Sequence, residues 1–315
     1  MERYVLITPA RNEANFIGYT LEAVTMQTVK PLLWVIVSDN SDDGTDELVQ
    51  GYSSKHSYVR LVRINNKEER NFGAQVRAFL RGYEKVKNLE YDYIGNLDAD
   101  VSFEKSYFEK VLLQFSKNPK LGLAGGYIYE FRKDSFKARN SNALYSVAHA
   151  VQLFRKECYT DIGGYTPLLY GGSDSLAEIR ARMYGWNVQA FPWLEVKHHK
   201  PTLGAEGLCK GAFRQGLMDY SLGNNHIYSI GRCLIRSRFG LNAKYAFCRY
   251  LGFFWASIKR NPREVTKDFM NFYRNEQRSI FFSALKNCFR RRSISIPTST
   301  KAHQNESVLF KGNNV

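Results

Sequence analysis

Cysteine is scarce and scattered in this sequence: five in 315 residues, at positions 158, 209, 233, 248 and 288, odd in number and with no CxxC pair. That pattern argues against a disulfide framework and against a zinc site, and the thiols are expected to be free and buried. Long apolar runs are missing too. The opening MERYVLITPARNE enters a strand-like run at once, without the apolar region and small-residue cleavage site of a secretory signal. A cytoplasmic protein is the expectation. The most aromatic stretch, KYAFCRYLGFFWASIKR, is cut by Lys244 and Arg249, and its longest uncharged run, Tyr250 to Ile258, is nine residues. That is too short to span a bilayer. No GxGxxG follows the first apolar run and no P-loop glycine pattern occurs, which makes a dinucleotide-dependent enzyme a poor fit. No internal repeat is visible.

Acidic residues are short by 15 against Lys and Arg, a balance that first suggests nucleic acid. The excess is local. Residues 231–292 hold 15 Lys/Arg and 3 Asp/Glu, so the basicity belongs to one helical, aromatic segment and the rest is close to neutral. Trp255, Phe253, Phe254 and Tyr250 beside lysine and arginine suit a helix lying on an anionic membrane surface; packing of the same aromatics onto the rest of the protein is the competing reading. No nucleic-acid partner is expected. After Arg292 the chain turns polar and is expected to be disordered.

A chain of this size, 44% hydrophobic, can bury a full core. Its first hundred residues alternate apolar, β-branched runs (YVLITP, LLWVIVSD, YVRLVRI, YDYIGNLDAD) with helix-compatible stretches at Glu13–Gln27, Thr45–Tyr52 and Asn71–Val86. Such alternation predicts an α/β fold, a Rossmann-like, mostly parallel sheet flanked by helices. Ligands bind such sheets beyond the carboxyl ends of the strands. Thr8-Pro9-Ala10-Arg11, Ser38-Asp39-Asn40 and Asp98-Ala99-Asp100 all fall there, so three polar motifs should converge on one crevice. Farther on, LGLAGGYIYE, VAHAVQLFRKE, WNVQAFP and LEVKHH are expected as strands, with a helix over Ser173–Tyr184. The organisation expected is one domain over 1–230, in two halves that divide at about 100. A basic helical extension over 231–292 and a tail over 293–315 follow.

YIGNLDADVSF poses the chemical question. Asp98 and Asp100 flank one alanine, and two carboxylates that close repel unless solvent or a hard cation such as Mg²⁺ or Mn²⁺ compensates them.

LITPARNE, SDNSDDGT, RNFGAQVRAF, LDAD, IGGY, GGSDSLAEIRARMYGW and VKHHKPT resemble, in that order, the family-2 glycosyltransferases of the GT-A fold. The resemblance covers residues 3 to about 225, and HHKPTLGAEGLCKGAFRQGLMDYSLG looks like a branch of bacterial surface-polysaccharide transferases. It implies an inverting enzyme that moves a sugar from a nucleotide-diphospho-sugar to a hydroxyl of a lipid-linked or growing glycan, at the inner face of the membrane. Asp98 and Asp100 would hold Mg²⁺ or Mn²⁺ against the diphosphate. Pro9, Ala10, Arg11, Glu13, Asp39, Arg70 and Asn71 match nucleotide-facing positions, with Arg70 a charge partner for Asp39 or phosphate.

The family's base comes from a Glu-Asp pair opening the helix after the glycine-rich loop. Here the pair is Ser173-Asp174, which lacks the first acid, so the resemblance makes Asp174 the base. Glu178, one helical turn on, is the fallback. His198 and His199 are joint candidates to complete the metal shell or meet diphosphate, and adjacent strand residues face opposite sides, so only one can look into the site. Arg214 and Gln215 have two readings, contact with the diphosphate or a solvated helix face. A sugar-phosphate nucleotidyltransferase or a non-catalytic basic binding protein are the rival classes, and TPARNEAN, with one arginine and no glycine, suits the first poorly.

Overall fold

The computed structural model describes residues 2–65, 73–132, 134–200, 207–238 and 243–292. The predicted alternation is borne out in β1 (Tyr4–Ala10), α1 (Ile17–Thr25), β2 (Leu33–Asp39), α2 (Thr45–Ser53), β3 (Val59–Ile64), α3 (Gly73–Val86) and β4 (Tyr93–Asn96). These strands are parallel neighbours in the order β3-β2-β1-β4. β1 and β2 are buried along almost their whole length, because helices cover both faces of the sheet and leave no solvent side for polar alternation.

Beyond β4 the chain departs from simple alternation. β5 (Val101–Phe103), α4 (Tyr107–Lys117), β6 (Leu121–Arg132) and β7 (Ser135–Ala138) precede a 3₁₀ turn at His149–Val151, and β8 (Leu153–Arg155), α5 (Lys156–Asp161), α6 (Ser173–Met183) and β9 (Asn187–His198) follow it. The sheet continues as β4-β8-β6-β9-β5, with β7 on β6. Pairings β4–β8, β6–β8, β6–β7 and β5–β9 are antiparallel, so the sheet is parallel in its first half and mixed in its second. WNVQAFP and LEVKHH form one strand rather than two. Its pairing with β6 slips where Gly126 meets Phe191 and Tyr127 meets Glu195, so residues 192–194 bulge and the hydrophobic pattern breaks without the strand ending. VAHAVQLFRKE, expected as a strand, contributes the 3₁₀ turn, three strand residues and the start of α5.

Four further helices follow: α7 (Leu208–Ser221), α8 (His226–Arg238), α9 (Ala243–Ile258) and α10 (Lys267–Arg292). α7 and α9 cross backbone to backbone: a Cβ on Gly216 would stand 2.0 Å from the Arg249 carbonyl oxygen, and one on Gly252 1.9 Å from that of Phe213. Arg249 is buried there, donating from Nε and Nη2 to the two Asp219 oxygens (2.7 and 3.0 Å) and from Nη1 to Gln215 (2.7 Å). α10 ties back to α6 through Arg182 and Glu276, 2.7 Å apart. Among the described residues no helix is long and apolar enough to cross a membrane.

Candidate active site

The loops after β1 and β2 are built as one unit. Asn12 and Asn40 both take the left-handed conformation (φ 53° and 54°), which asparagine tolerates better than most residues. The Asn12 side chain exchanges hydrogen bonds with Asp42, donating to its carboxylate (2.8 Å) and accepting from its N–H (3.1 Å). Thr45 and Asp43 then accept the Glu13 and Ala14 N–H groups, at 2.9 Å each. The acid-rich run SDNSDDGT is therefore largely a brace for the first loop.

That brace positions Arg11 3.8 Å from Asp39. Asp39 is buried, and its Oδ1 has no hydrogen-bond donor. Pro9 and Ala10 lie inside β1, buried and paired with Val37 and Ser38, so only their backbone could face a ligand. Glu13 receives Lys200 Nζ at 2.6 Å, which joins the first loop to the end of β9. Burial raises the Glu13 carboxyl above its ordinary range, against the opposing pull of Lys200. Arg70 and Asn71 lie outside the described residues.

Asp98-Ala99-Asp100 turns the chain between β4 and β5. β5 pairs with β9 so that Val101 stands opposite His198, and Thr20 of α1 holds Val101 by both its N–H and its carbonyl (3.0 and 2.8 Å). A tertiary pairing 97 residues apart thus brings His198 Nε2 to 3.4 Å from Asp100 Oδ1. Asp98, Asp100 and His198 offer three ligand atoms all within 4.8 Å of one another. Asp100 Oδ1 and His198 Nδ1 are buried without hydrogen-bond partners. Burial, then the charges of Asp98 and Glu13, push the Asp100 carboxyl up to about 8. Two oxygen ligands and an imidazole, short of positive charge, fit a divalent cation such as Mg²⁺ or Mn²⁺.

The histidine pair divides as strand geometry requires. His198 joins the carboxylates, whereas His199 lies flat against Tyr19 (ring centroids 4.0 Å apart) and bonds Ser102 Oγ at 2.8 Å. Asp98 has neighbours that the sequence did not single out. Gln75 donates to its Oδ1 (2.9 Å), and His149 Nδ1 lies 3.5 Å away. Burial opposes ionisation of Asp98, but the hydrogen bond and charge of His149 outweigh it and hold the carboxyl below its ordinary value. Gln75 and Lys200 stand within the quoted motifs RNFGAQVRAF and VKHHKPT. His149 had no local signal, because it acts from a turn in a stretch patterned like a strand.

α6 opens on Gly172, in the left-handed conformation (φ 92°), where a Cβ would also sit 2.9 Å from Met218 of α7. Asp174 follows in the first turn, half-buried, where the helix dipole favours an anion. Its helix packs through Glu178 against the turn that carries His149, the neighbour of Asp98. Glu178 is otherwise employed: it is buried and accepts the Val147 N–H (2.6 Å) and the Ser146 hydroxyl (3.2 Å), clamping the turn that carries His149. Arg214 donates to the Tyr170 carbonyl (3.3 Å), and Gln215 serves Arg249 and Tyr245.

The model of glycosyl transferase family 2 matches residues 5–172. Poly-beta-1,6-N-acetyl-D-glucosamine synthase of Staphylococcus epidermidis is 24% identical over 210 residues, 61% of this chain and 47% of that one. The chain therefore spans about half the length of the curated relatives that it matches first. Among solved structures, a mannosyltransferase from Pyrobaculum calidifontis in complex with GDP-Man and Mn²⁺ is similar at a TM-score of 0.52 and 14% identity, covering 91% of this chain and 87% of that one. Staphylococcus aureus TarS in complex with UDP-GlcNAc is similar at 0.51 and 12%, covering 86% and 78%. These likenesses establish a GT-A type fold. With its parallel half-sheet, its acidic crevice and the family match over residues 5–172, this chain belongs to glycosyl transferase family 2.

Proposed function

We propose that this chain is an inverting, metal-dependent glycosyltransferase that takes a nucleotide-diphospho-sugar donor and a hydroxyl of a lipid-linked or growing surface-polysaccharide acceptor, working at the cytoplasmic face of a membrane. The observation that carries the reading is the convergence of Asp98, Asp100 and His198 on one point, with Asp174 on the neighbouring helix. Those three side chains would hold Mg²⁺ or Mn²⁺, which when bound neutralises charge on the departing diphosphate. Arg11 and Asp39 would meet the nucleotide from one side of the crevice, and Arg70 and Asn71 are assigned to it on the family resemblance alone. Arg214, on the helix packed against the Tyr170–Gly172 loop that precedes Asp174, would meet the diphosphate. His199, stacked on Tyr19 and bonded to Ser102 Oγ, would serve the site by fixing the β5–β9 edge.

Asp174 would take the proton of the acceptor hydroxyl as its oxygen bonds to the anomeric carbon. The bond from that carbon to diphosphate oxygen breaks on the opposite face, which inverts the configuration. Glu178, whose Oε1 accepts the Val147 N–H, would instead hold the turn that carries His149.

The test is a screen of purified protein against a panel of sugar nucleotides for donor hydrolysis and Mn²⁺-dependent binding. Asp100→Asn should abolish both while the protein stays folded, because it removes one ligand charge and relieves repulsion with Asp98. Full activity of that variant in chelator would overturn the metal assignment.

A further inference from the structure

The outward face of α9 is chemically ill-suited to water. Its large exposed residues are Phe247, Leu251, Phe254, Trp255 and Ile258, which recur at helical spacing as one stripe. Phe247 and Ile258 are each 62% exposed, and Trp255 52%. The inward face holds Ala246, Gly252, Phe253, Ala256 and the charged Arg249. The helix is thus reversed relative to an ordinary surface helix: its central charge is inside and its bulky apolar groups are outside. It cannot roll to bury the stripe, because the Gly216–Gly252 crossing and the Arg249–Asp219 clamp lock its rotation.

We infer that this stripe docks on an anionic lipid bilayer, with α9 lying along the surface. This deepens the membrane clause of the proposed function and rests on that clause, not on the transfer chemistry. It also corrects which aromatics would do the docking, since Phe253 is buried against Tyr220 and His226 while Phe247, Leu251 and Ile258 face out.

Charge complementarity selects the partner. No carboxylate occurs in α9, and exposed lysines stand at its two ends, Lys244 and Lys259. Lys259 Nζ lies 5.2 Å over the Trp255 ring, so an aromatic group and an ammonium share one end of the stripe, as they do where a helix meets lipid headgroups. The segment 231–292 carries 15 Lys/Arg and 3 Asp/Glu. A second copy packed stripe to stripe would bring its lysines to the same apolar seam with no α9 carboxylate to pair them, whereas anionic lipid neutralises Lys244 and Lys259. At 16 residues α9 is shorter than a bilayer requires, so it lies on the surface instead of crossing it.

The placement also suits the acceptor. α7 separates α9 from the catalytic region by one layer: its Gly216 side seats α9, while Arg214 and Met218 touch the Tyr170–Gly172 loop that leads into Asp174. A bilayer under α9 would therefore lie on the Asp174 side of the molecule, where a lipid-linked hydroxyl must arrive.

Point variants carry the test, because deleting α9 would strip buried Asp219 of its partner. The full chain is floated with vesicles of phosphatidylcholine alone and of phosphatidylcholine mixed with phosphatidylglycerol. It should bind the mixed vesicles, more weakly as salt rises, and leave the neutral ones unbound. Phe247→Ser/Trp255→Ser should lower the binding by roughly tenfold or more, with circular dichroism and donor hydrolysis unchanged. Lys244→Gln/Lys259→Gln should weaken it less and flatten its salt dependence. If donor hydrolysis is undetectable throughout while vesicle binding follows this pattern, the docking inference stands and the transfer reading falls. Undiminished binding by the Phe247/Trp255 variant would overturn the inference. So would a dimer in light scattering that this variant dissolves, because a second copy would then occupy the stripe.

Discussion

Two buried charge clusters in this molecule behave oppositely in the fold. Where α7 meets α9, Arg249 and Asp219 pair through two hydrogen bonds, and Gln215 takes a third guanidinium N–H. In the crevice, Asp98 and Asp100 share one histidine ligand atom's reach, and Asp100 Oδ1, His198 Nδ1 and Asp39 Oδ1 are left without donors or acceptors. The first cluster is closed and completes the architecture. The second is open, and an open buried cluster is costly unless a ligand finishes it. Local composition does not separate the two cases; satisfaction of the polar atoms does.

The contrast can be broken most sharply at Asp174. In the open site a side chain can be changed at the expense of chemistry alone, so Asp174→Asn should lower turnover by roughly two to four orders of magnitude, the range usual for loss of a general base. Donor affinity and the unfolding midpoint should hold. Single-turnover kinetics beside denaturant unfolding would check this, and a variant that keeps its turnover removes Asp174 from the role of base.

In the closed cluster the effect should be the reverse. Asp219→Ala leaves a buried guanidinium without its counter-charge and should cost about 3–5 kcal/mol of stability, while Mn²⁺ affinity of the folded fraction is retained. Urea unfolding followed by Trp fluorescence measures it. A loss within the error of the method would mean that the α7–α9 crossing is held by its packing and not by the ion pair.

Glu178 gives the smallest and most diagnostic effect. Burial first, then the Asp174 charge, push its carboxyl up to about 8, above the ordinary carboxylate range. Between its unfolded and folded values the native state holds a proton that the unfolded chain has lost. Its contribution therefore stabilises the fold at low pH and fades as pH rises toward about 8. Glu178→Gln keeps an oxygen for the Val147 N–H and removes the titration. Stability of the variant should fall less between pH 5 and pH 8 than that of the parent, and kcat should change by only about twofold if Glu178 positions the His149 turn rather than moving a proton. An identical pH slope in parent and variant, or a base-sized drop in kcat, would defeat this assignment.

Much of the parallel half was legible in the sequence for a physical reason. A parallel sheet covered on both faces writes itself as apolar, β-branched runs, and its crevice must lie where those runs end. The convergence of the Arg11, Asp39 and Asp98 motifs followed from that alone, and the order of seven motifs named the family. The antiparallel half was less legible. β5 is three residues long and pairs with a strand 97 positions away, and the bulge in β9 breaks the alternation that would have marked one strand.

The sequence by itself determined the fold class, the family, the carboxylate pair and the concentration of positive charge after residue 230. Only the tertiary structure decided which histidine joins the carboxylates, that His149 and Gln75 hold Asp98, that Glu178 serves a turn, and which face of α9 is left bare. The first set depends on periodicity and residue order, which are properties of the chain. The second depends on register and packing between segments far apart in sequence, where a one-residue shift reverses which side chain faces the site.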